Sequence, residues 1–305
     1  MKLIVAGGTG FIGRPLVAAL RGAGHEVVTL SRHAGMGGHD QSGDRLAQWD
    51  ARTPSGAWTE ELRGAAAAIN LAGANIGEQR WTPERKREIL DSRLAATGAL
   101  VGAMAGLPAE QRPKALVNAS GIDYYGDRGE ETVTEETPPG NSFLAEVCVQ
   151  WEAAARRAEP LGVRVVVMRT SVVLGHGAEA LQKLALPFKL FAGGPIGSGR
   201  QWFSWIHLDD AIGLYRLAVE RADAAGPVNL VAPDVRRERD VATEVGNVLH
   251  RPSWAPAPAF ALKLALGDQA DLVLHGRRAE PRQALALGYD FKYPNLHEAL
   301  VQALG

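Results

Sequence analysis

The run Lys2 to Ala6 leads without a break into Gly7-Gly8-Thr9-Gly10-Phe11-Ile12-Gly13, and a helical stretch from Pro15 to Arg21 follows and closes at Gly22 and Gly24. Strand, glycine turn and helix in that order constrain this chain more than any other feature. Glycines recur at every third position, and each has a physical task. Gly7 permits the tight turn, Gly10 lets backbone approach a pyrophosphate, and Gly13 lets helix and strand pack closely. Thr9, Phe11 and Ile12 lie in the same turn. Its open N–H groups sit at a helix N-terminus, where the dipole favours anions. The pattern predicts a dinucleotide site.

Strand and helix patterns alternate through the first two-thirds of the chain. Further strands are expected at 26–32, 46–50, 67–73, 115–120, 164–170 and 228–232, several of them continuous apolar runs such as Val165-Val166-Val167-Met168. Runs of that kind suit parallel strands covered on both faces. Helices are expected at 84–104, 143–159 and 210–221, the last capped by Asp209. This rhythm defines an α/β fold, a doubly wound parallel Rossmann sheet with ligand at the carboxyl ends of the strands. The texture changes after residue 192, with a glycine-rich loop at 193–199 and later prolines at 252, 256, 258, 281 and 294. The expected division is a nucleotide-binding core of residues 1–175 and 205–232, with 176–204 and 233–305 forming a smaller, mainly helical C-terminal subdomain on the substrate side.

The end of the second strand sets the nucleotide. NAD-selective turns place an acidic residue there for the ribose hydroxyls, but the chain has Ser31-Arg32, and no Asp or Glu occurs between Glu26 and Asp40. Arg32 can fork onto a 2′-phosphate while Ser31 adds a hydroxyl donor, so NADP(H) is the expected cofactor. Asp50, ending the third strand, is placed to meet the adenine amino group, and Leu71-Ala72-Gly73 is expected to line the cofactor. A formal net charge of −1 gives no field to draw nucleic acid or an anionic membrane. The single Cys148 excludes an internal disulfide framework and a cysteine-based zinc site; no metal is expected. The longest apolar stretch is too short to span a bilayer, and the first strand leaves no room for a signal peptide. The expectation is a cytoplasmic protein with a small-molecule substrate.

Other blocks join the glycine turn: Asn70-Leu71-Ala72-Gly73, Arg80-Trp81 through Asp91-Ser92-Arg93, Tyr124-Tyr125-Gly126, Trp151-Glu152, Val172-Val173-Leu174-Gly175, the 193–199 loop with Gln201 to His207, and Arg251-Pro252 onward. With these, the sequence resembles the extended short-chain dehydrogenase/reductase superfamily. Within it, the chain is most similar to the atypical epimerase family subgroup, whose C-terminal segment is a domain of unassigned function. The resemblance implies that Glu88, Arg93 and Val173 belong to the cofactor-binding set, Arg93 as a pyrophosphate or ribose partner.

The resemblance stops at catalysis. The superfamily uses a Tyr and a Lys four residues apart on one helix, the Lys lowering the phenol pKa. The tyrosines here are at 124, 125, 215, 289 and 293, and none is followed four residues later by Lys. At the expected place the chain offers Phe143 and Val147, a pair that would face the nicotinamide, and the usual Ser or Thr is Gly121, beside Ser120. The groups left to handle a proton are Tyr125, Ser120 and His207. Arg200 with Trp202 and Trp205, and Tyr124 beyond them, make the candidate substrate surface, a fixed cation among flat apolar rings. Arg277 and Arg278 read as a solvated face. Together these features imply an NADP(H)-dependent enzyme of oxidoreductase or epimerase type with a non-standard proton donor, acting on a small polar, anionic substrate. The alternative is a non-catalytic NADP(H)-binding redox sensor or scaffold. Arg32→Ala is expected to weaken NADP(H) binding by about 1.5–3 kcal/mol, the worth of a hydrogen bond to a charged group, and to spare NAD(H). Titration of both nucleotides checks this, and equal weakening would remove the 2′-phosphate assignment.

Overall fold

The computed structural model describes residues 1–32 and 45–305. Its strands are β1 (Lys2–Ala6), β2 (Glu26–Ser31), β3 (Arg45–Gln48), β4 (Ala67–Asn70), β5 (Ala115–Gly121), β6 (Thr132–Val133), β7 (Arg164–Thr170), β8 (Val172–Leu174), β9 (Trp202–Phe203), β10 (Trp205–His207), β11 (Gly226–Leu230), β12 (Arg236–Arg237) and β13 (Arg278–Ala279). The helices are α1 (Gly13–Gly22), α2 (Pro83–Ala105), α3 (Phe143–Arg156), α4 (Glu179–Lys189), α5 (Leu208–Glu220), α6 (Glu238–Leu249), α7 (Ala259–Leu266), α8 (Asp271–Leu274), α9 (Arg282–Ala286) and α10 (Leu296–Leu304).

Seven strands form one sheet in the order β11-β7-β5-β4-β1-β2-β3, and every neighbouring pair is parallel. The chain leaves β1 for β2 on one side and returns to β4 on the other, so the order reverses at β1. In such sheets the crevice at that reversal, outside the carboxyl ends, receives ligands. The register lines those ends up, with Ala6 opposite both Leu30 and Asn70, and Asn70 opposite Asn118.

Alternation along β1 divides the core. Leu3 and Val5 face one side with Leu16, Val17 and Leu20 of α1 and the apolar face of α5. Ile4 and Ala6 face the other with Ala96 to Met104 of α2. The continuous apolar runs of the sequence are thus explained by burial on both faces. A separate core joins α4, α6 and α10 through Leu181, Phe188, Val241, Val245, Leu296 and Leu300, with Trp205 at its edge. Ala284 of α9 and, beyond it, Leu287 and Phe291 pack into the first core. Among the described residues no helix is long and apolar enough to cross a membrane.

Several boundaries differ from the expected ones for local reasons. The fourth strand ends at Asn70, whose Oδ1 accepts the Ala72 N–H and turns the chain. The last strand ends at Leu230 because the chain then leaves the main sheet, and the Ala232 N–H reaches the Trp205 carbonyl at 2.7 Å. The cap of α5 is His207, not Asp209: the ring Nδ1 accepts the Asp209 N–H at 3.1 Å.

Glu238, the first residue of α6, is 3% exposed. Its Oε2 accepts the Ile196 N–H at 2.8 Å and holds the glycine-rich loop, while Oε1 is buried without a partner. Burial pushes the carboxyl up from about 4.5 to about 7. An acid whose folded pKa is raised is neutral in both states below 4.5. As pH rises from there toward 7 the unfolded state loses the proton first, and stability falls. Glu238→Gln is therefore expected to gain on the order of 2 kcal/mol over the native chain at pH 8 and almost nothing at pH 4. Denaturant melts at the two pH values check this; an equal effect at both would refute it.

Candidate functional site

The glycine turn is as tight as the sequence suggests. Gly7 has φ +79°, and a Cβ there would stand 2.9 Å from the Leu71 carbonyl carbon. A Cβ on Gly13 would come within 2.2 Å of the Gly7 oxygen, so helix start and strand exit touch. Ile12 caps α1 without a side-chain hydrogen bond, and the first turn carries no acidic residue. The Arg14 N–H is taken by the Gly10 carbonyl at 3.0 Å and Pro15 has none, so among the described residues the N–H groups of Ile12 and Gly13 are the ones left for an anion. A cleft of about 390 Å³ opens there, lined by Thr9, Gly10, Phe11, Arg14, His176 and Leu208 among others.

A second cleft, about 310 Å³, lies past the ends of β2 and β3, between Arg32, Gln48, Asp50 and Trp58. Arg32 is exposed and makes no ion pair among the described residues. Ser31 closes β2 opposite Gln48. Asp50 lies in this wall with its carboxylate engaged in its own turn. Its oxygens accept from the Thr53 hydroxyl and from the N–H groups of Thr53 and Arg52, which hold the carboxyl down at about 2. Residues 33–44, with Asp40, lie outside the described residues.

At the other side of β1, Leu71-Ala72-Gly73 follows β4. A Cβ on Gly73 would stand 3.2 Å from the Arg93 Cγ, so the arginine lies along this glycine. Arg93 donates to the Ala74 and Ile89 carbonyls at 3.1 and 2.9 Å and lies 4.9 Å over the Trp151 ring. It forms no ion pair among the described residues, and burial pushes its guanidinium below the ordinary value. Glu88, also on α2, is exposed and salt-bridged to Arg85 at 2.7 Å, which in turn reaches the Asn75 carbonyl. The structure ties Glu88 to that loop and does not bring it to Arg93. Val173 sits on β8 opposite Ile206 and packs against the first core.

The expected proton-handling groups are bound to protein partners. Tyr125 is fully buried; its hydroxyl donates to Asn229 Oδ1 at 2.7 Å and accepts from Arg169 Nη1 at 2.9 Å, and burial pushes the phenol up to about 12. Ser120 Oγ donates to Glu152 Oε1 at 2.9 Å in a buried setting. His207 is buried too, its Nε2 donating to Gln302 at 2.7 Å while Nδ1 caps α5. All three side chains are thus engaged by protein partners. Phe143 and Val147 differ from the expectation. Val147 is buried with Trp81, Ile89 and Leu144, and Phe143 sets its edge against Trp81 at 5.3 Å, so the pair packs into an apolar cluster.

On the substrate side Trp205 is fully buried, and its Nε1 donates to the Asp234 carbonyl at 2.7 Å, so it is a core residue and not a binding surface. Trp202 is half-buried between Arg237 at 3.8 Å and Arg278 at 5.0 Å. Arg200 is exposed beside it, its carbonyl accepting from Arg237. Tyr124 is half-buried, its face covered by the Arg169 guanidinium at 3.5 Å. Arg277 is 8% exposed and paired with Asp123, which corrects its reading as part of a solvated face. The Arg169–Glu152 pair was missed; a charge inside an apolar parallel strand was the available signal for it.

A doubly wound parallel sheet whose glycine turn opens onto clefts at the carboxyl edge defines a dinucleotide-binding α/β protein. The family model for the NAD dependent epimerase/dehydratase family matches residues 3–231, and a domain of unknown function, DUF1731, matches residues 257–303. The chain belongs to the NAD dependent epimerase/dehydratase family. It is 41% identical over 305 residues to the chloroplastic epimerase family protein SDR39U1 homolog of Arabidopsis thaliana, covering 98% of this chain and 86% of that one. The crystal structure of human epimerase family protein SDR39U1 (isoform 2) with NADPH superimposes with a TM-score of 0.88 at 37% identity, covering 99% of each chain. A nucleoside-diphosphate sugar epimerase from Corynebacterium glutamicum gives a TM-score of 0.78 at 31% identity, covering all of this chain and 58% of that one.

Arg169→Met is expected to cost on the order of 3 kcal/mol, because it leaves the buried Glu152 carboxylate with only the Ser120 hydroxyl and the Arg156 guanidinium, 3.9 Å away. Arg169→Met with Glu152→Met is expected to recover much of that loss. Denaturant melts of the two variants check this; an equal or larger loss in the double variant would contradict it.

Proposed function

We propose that this chain binds NADP(H) and serves oxidoreductase or epimerase-like chemistry on a small polar substrate with an anionic group, without a Tyr-x-x-x-Lys pair. The observation that carries the reading is the placement of two arginines, Arg32 and Arg93, without ion-pair partners among the described residues, one on each side of an open helix N-terminus. A 2′-phosphorylated dinucleotide needs cations of this kind at its ribose phosphate and near its middle. The turn at residues 7–13 would hold the diphosphate, Ser31 and Arg32 the 2′-phosphate, and Leu71 to Gly73 with Arg93 and Val173 the remainder. When bound, the nicotinamide supplies the hydride chemistry, and the protein has to orient the substrate and move one proton. The human relative crystallised with NADPH supports the same cofactor here. Arg200, Arg278 and Trp202 suit the anionic end of a substrate, a cation set beside a flat ring.

The rival reading, a redox sensor or scaffold, draws on the engagement of Ser120, Tyr125 and His207 in structural bonds. One experiment separates the two: incubate the protein with a metabolite extract and NADPH deuterated at the transferable hydride, then trace the label by mass spectrometry. Deuterium in a metabolite is the expected result. Label that stays on bound NADPH, under conditions where a related reductase transfers it, would establish the sensor instead.

A further inference from the structure

With Ser120, Tyr125 and His207 engaged by protein partners, a carboxylate remains partly open where β5 ends. Asp123 keeps 24% of its side chain exposed. Its Oδ1 accepts from Arg277 Nη1 at 2.6 Å, and its Oδ2 has no hydrogen-bond partner among the described residues. A Cβ built on Gly121 would stand 3.3 Å from that Oδ2 and 3.6 Å from Cys148 Sγ. The carboxylate therefore borders the space that the missing side chain of Gly121 leaves at the strand end. Arg93, lying along Gly73, is near enough for the Asp123 charge to act on it. Asp123 thus belongs to the same edge of the sheet as the cofactor cradle.

Arg277 is held with little freedom. Its carbonyl accepts from Ser204 Oγ at 2.7 Å, and the next two residues, β13, pair with β6. Gly276 runs so close to Trp202 that a Cβ there would stand 1.9 Å from the Trp202 oxygen. The Arg277 side chain is nine-tenths buried, and its Nε has no partner among the described residues. A guanidinium fixed in this way holds one carboxylate oxygen and leaves the other free.

We propose that Asp123 is the proton-handling group of this site and that Arg277, supplied by the C-terminal segment, positions it. The assignment rests on the oxidoreductase reading above. When a substrate alcohol is oxidised, its O–H bond breaks and the proton passes to Asp123 Oδ2. The adjacent C–H hydrogen leaves with its electron pair as hydride for the oxidised nicotinamide dinucleotide, and C–O becomes C=O. Reduction reverses each transfer. The residues matched by the domain of unknown function, 257–303, thereby acquire a task, since Arg277 lies among them.

The test measures deuteride transfer from labelled NADPH to the metabolite that the wild-type protein labels, together with NADPH affinity by fluorescence titration and a melting curve. Asp123→Asn is expected to slow transfer about 100-fold or more, the range of general acid–base catalysis, with NADPH affinity unchanged and melting still cooperative. Arg277→Gln is expected to slow it less, because Oδ2 remains, and added formate is expected to restore part of the transfer to Asp123→Ala. Wild-type transfer rates in Asp123→Asn overturn the assignment, as do equal losses in Asp123→Asn and Arg277→Gln, which mark a purely structural ion pair. A loss of NADPH affinity or of cooperative melting in Asp123→Asn also overturns it. A wild-type protein that binds NADPH and labels nothing overturns the oxidoreductase reading, and this assignment with it.

Discussion

The guanidinium of Arg169, buried near the end of β7, organises the carboxyl edge of the sheet. It grips both oxygens of Glu152 on α3 at 2.8 and 2.9 Å, meets the Tyr125 hydroxyl and the Glu135 carbonyl, and covers the face of Tyr124. Burial works against its charge, yet the hydrogen bonds and charge of Glu152 hold its pKa above the ordinary value. Glu152 takes the Ser120 hydroxyl as well, and Tyr125 continues to Asn229 on β11. Three neighbouring strands and one helix are thus tied at a single depth. A buried pair of this kind contributes little net stability, but it tolerates only one arrangement, because either partner alone would be a buried charge.

That rigidity shapes what the two halves of the edge can do. On the β1–β3 side the backbone does the work: glycines allow close approach, and open N–H groups and arginines await negative charge. On the β5–β7 side the side chains have bound each other. The hydroxyls and imidazole that chemical intuition selects are satisfied by protein partners, and a carboxylate held by a distant arginine stays partly open beside them.

The parts of this arrangement that were legible in the sequence are local. The glycine turn, the apolar strands and the missing acid after β2 are short-range patterns, and the strand at Arg164–Thr170 was read at both of its ends. The misreadings concern pairings that no spacing encodes. Trp205 looks like a binding ring until the Asp234 carbonyl meets its indole N–H, and His207 looks reactive until Gln302 and the start of α5 take its two nitrogens. Arg277 and Asp123 stand 154 positions apart, too far for any periodicity to link them. N-cap preference also ranks Asp209 above His207, although a neutral imidazole nitrogen accepts a hydrogen bond as a cap must.

The packing of residues 284–291 has an evolutionary and biosynthetic meaning. Ala284, Leu287 and Phe291 come from the end of the chain, yet they fill the same apolar layer as α1, α5 and the first strand. The C-terminal segment is therefore no detachable module that a lineage could exchange while keeping an intact nucleotide domain. During synthesis, a ribosome that has released only the sheet strands has released a sheet with one face still partly bare. The strand β11, against which α9 packs, waits for residues translated well after it before its own surroundings are complete.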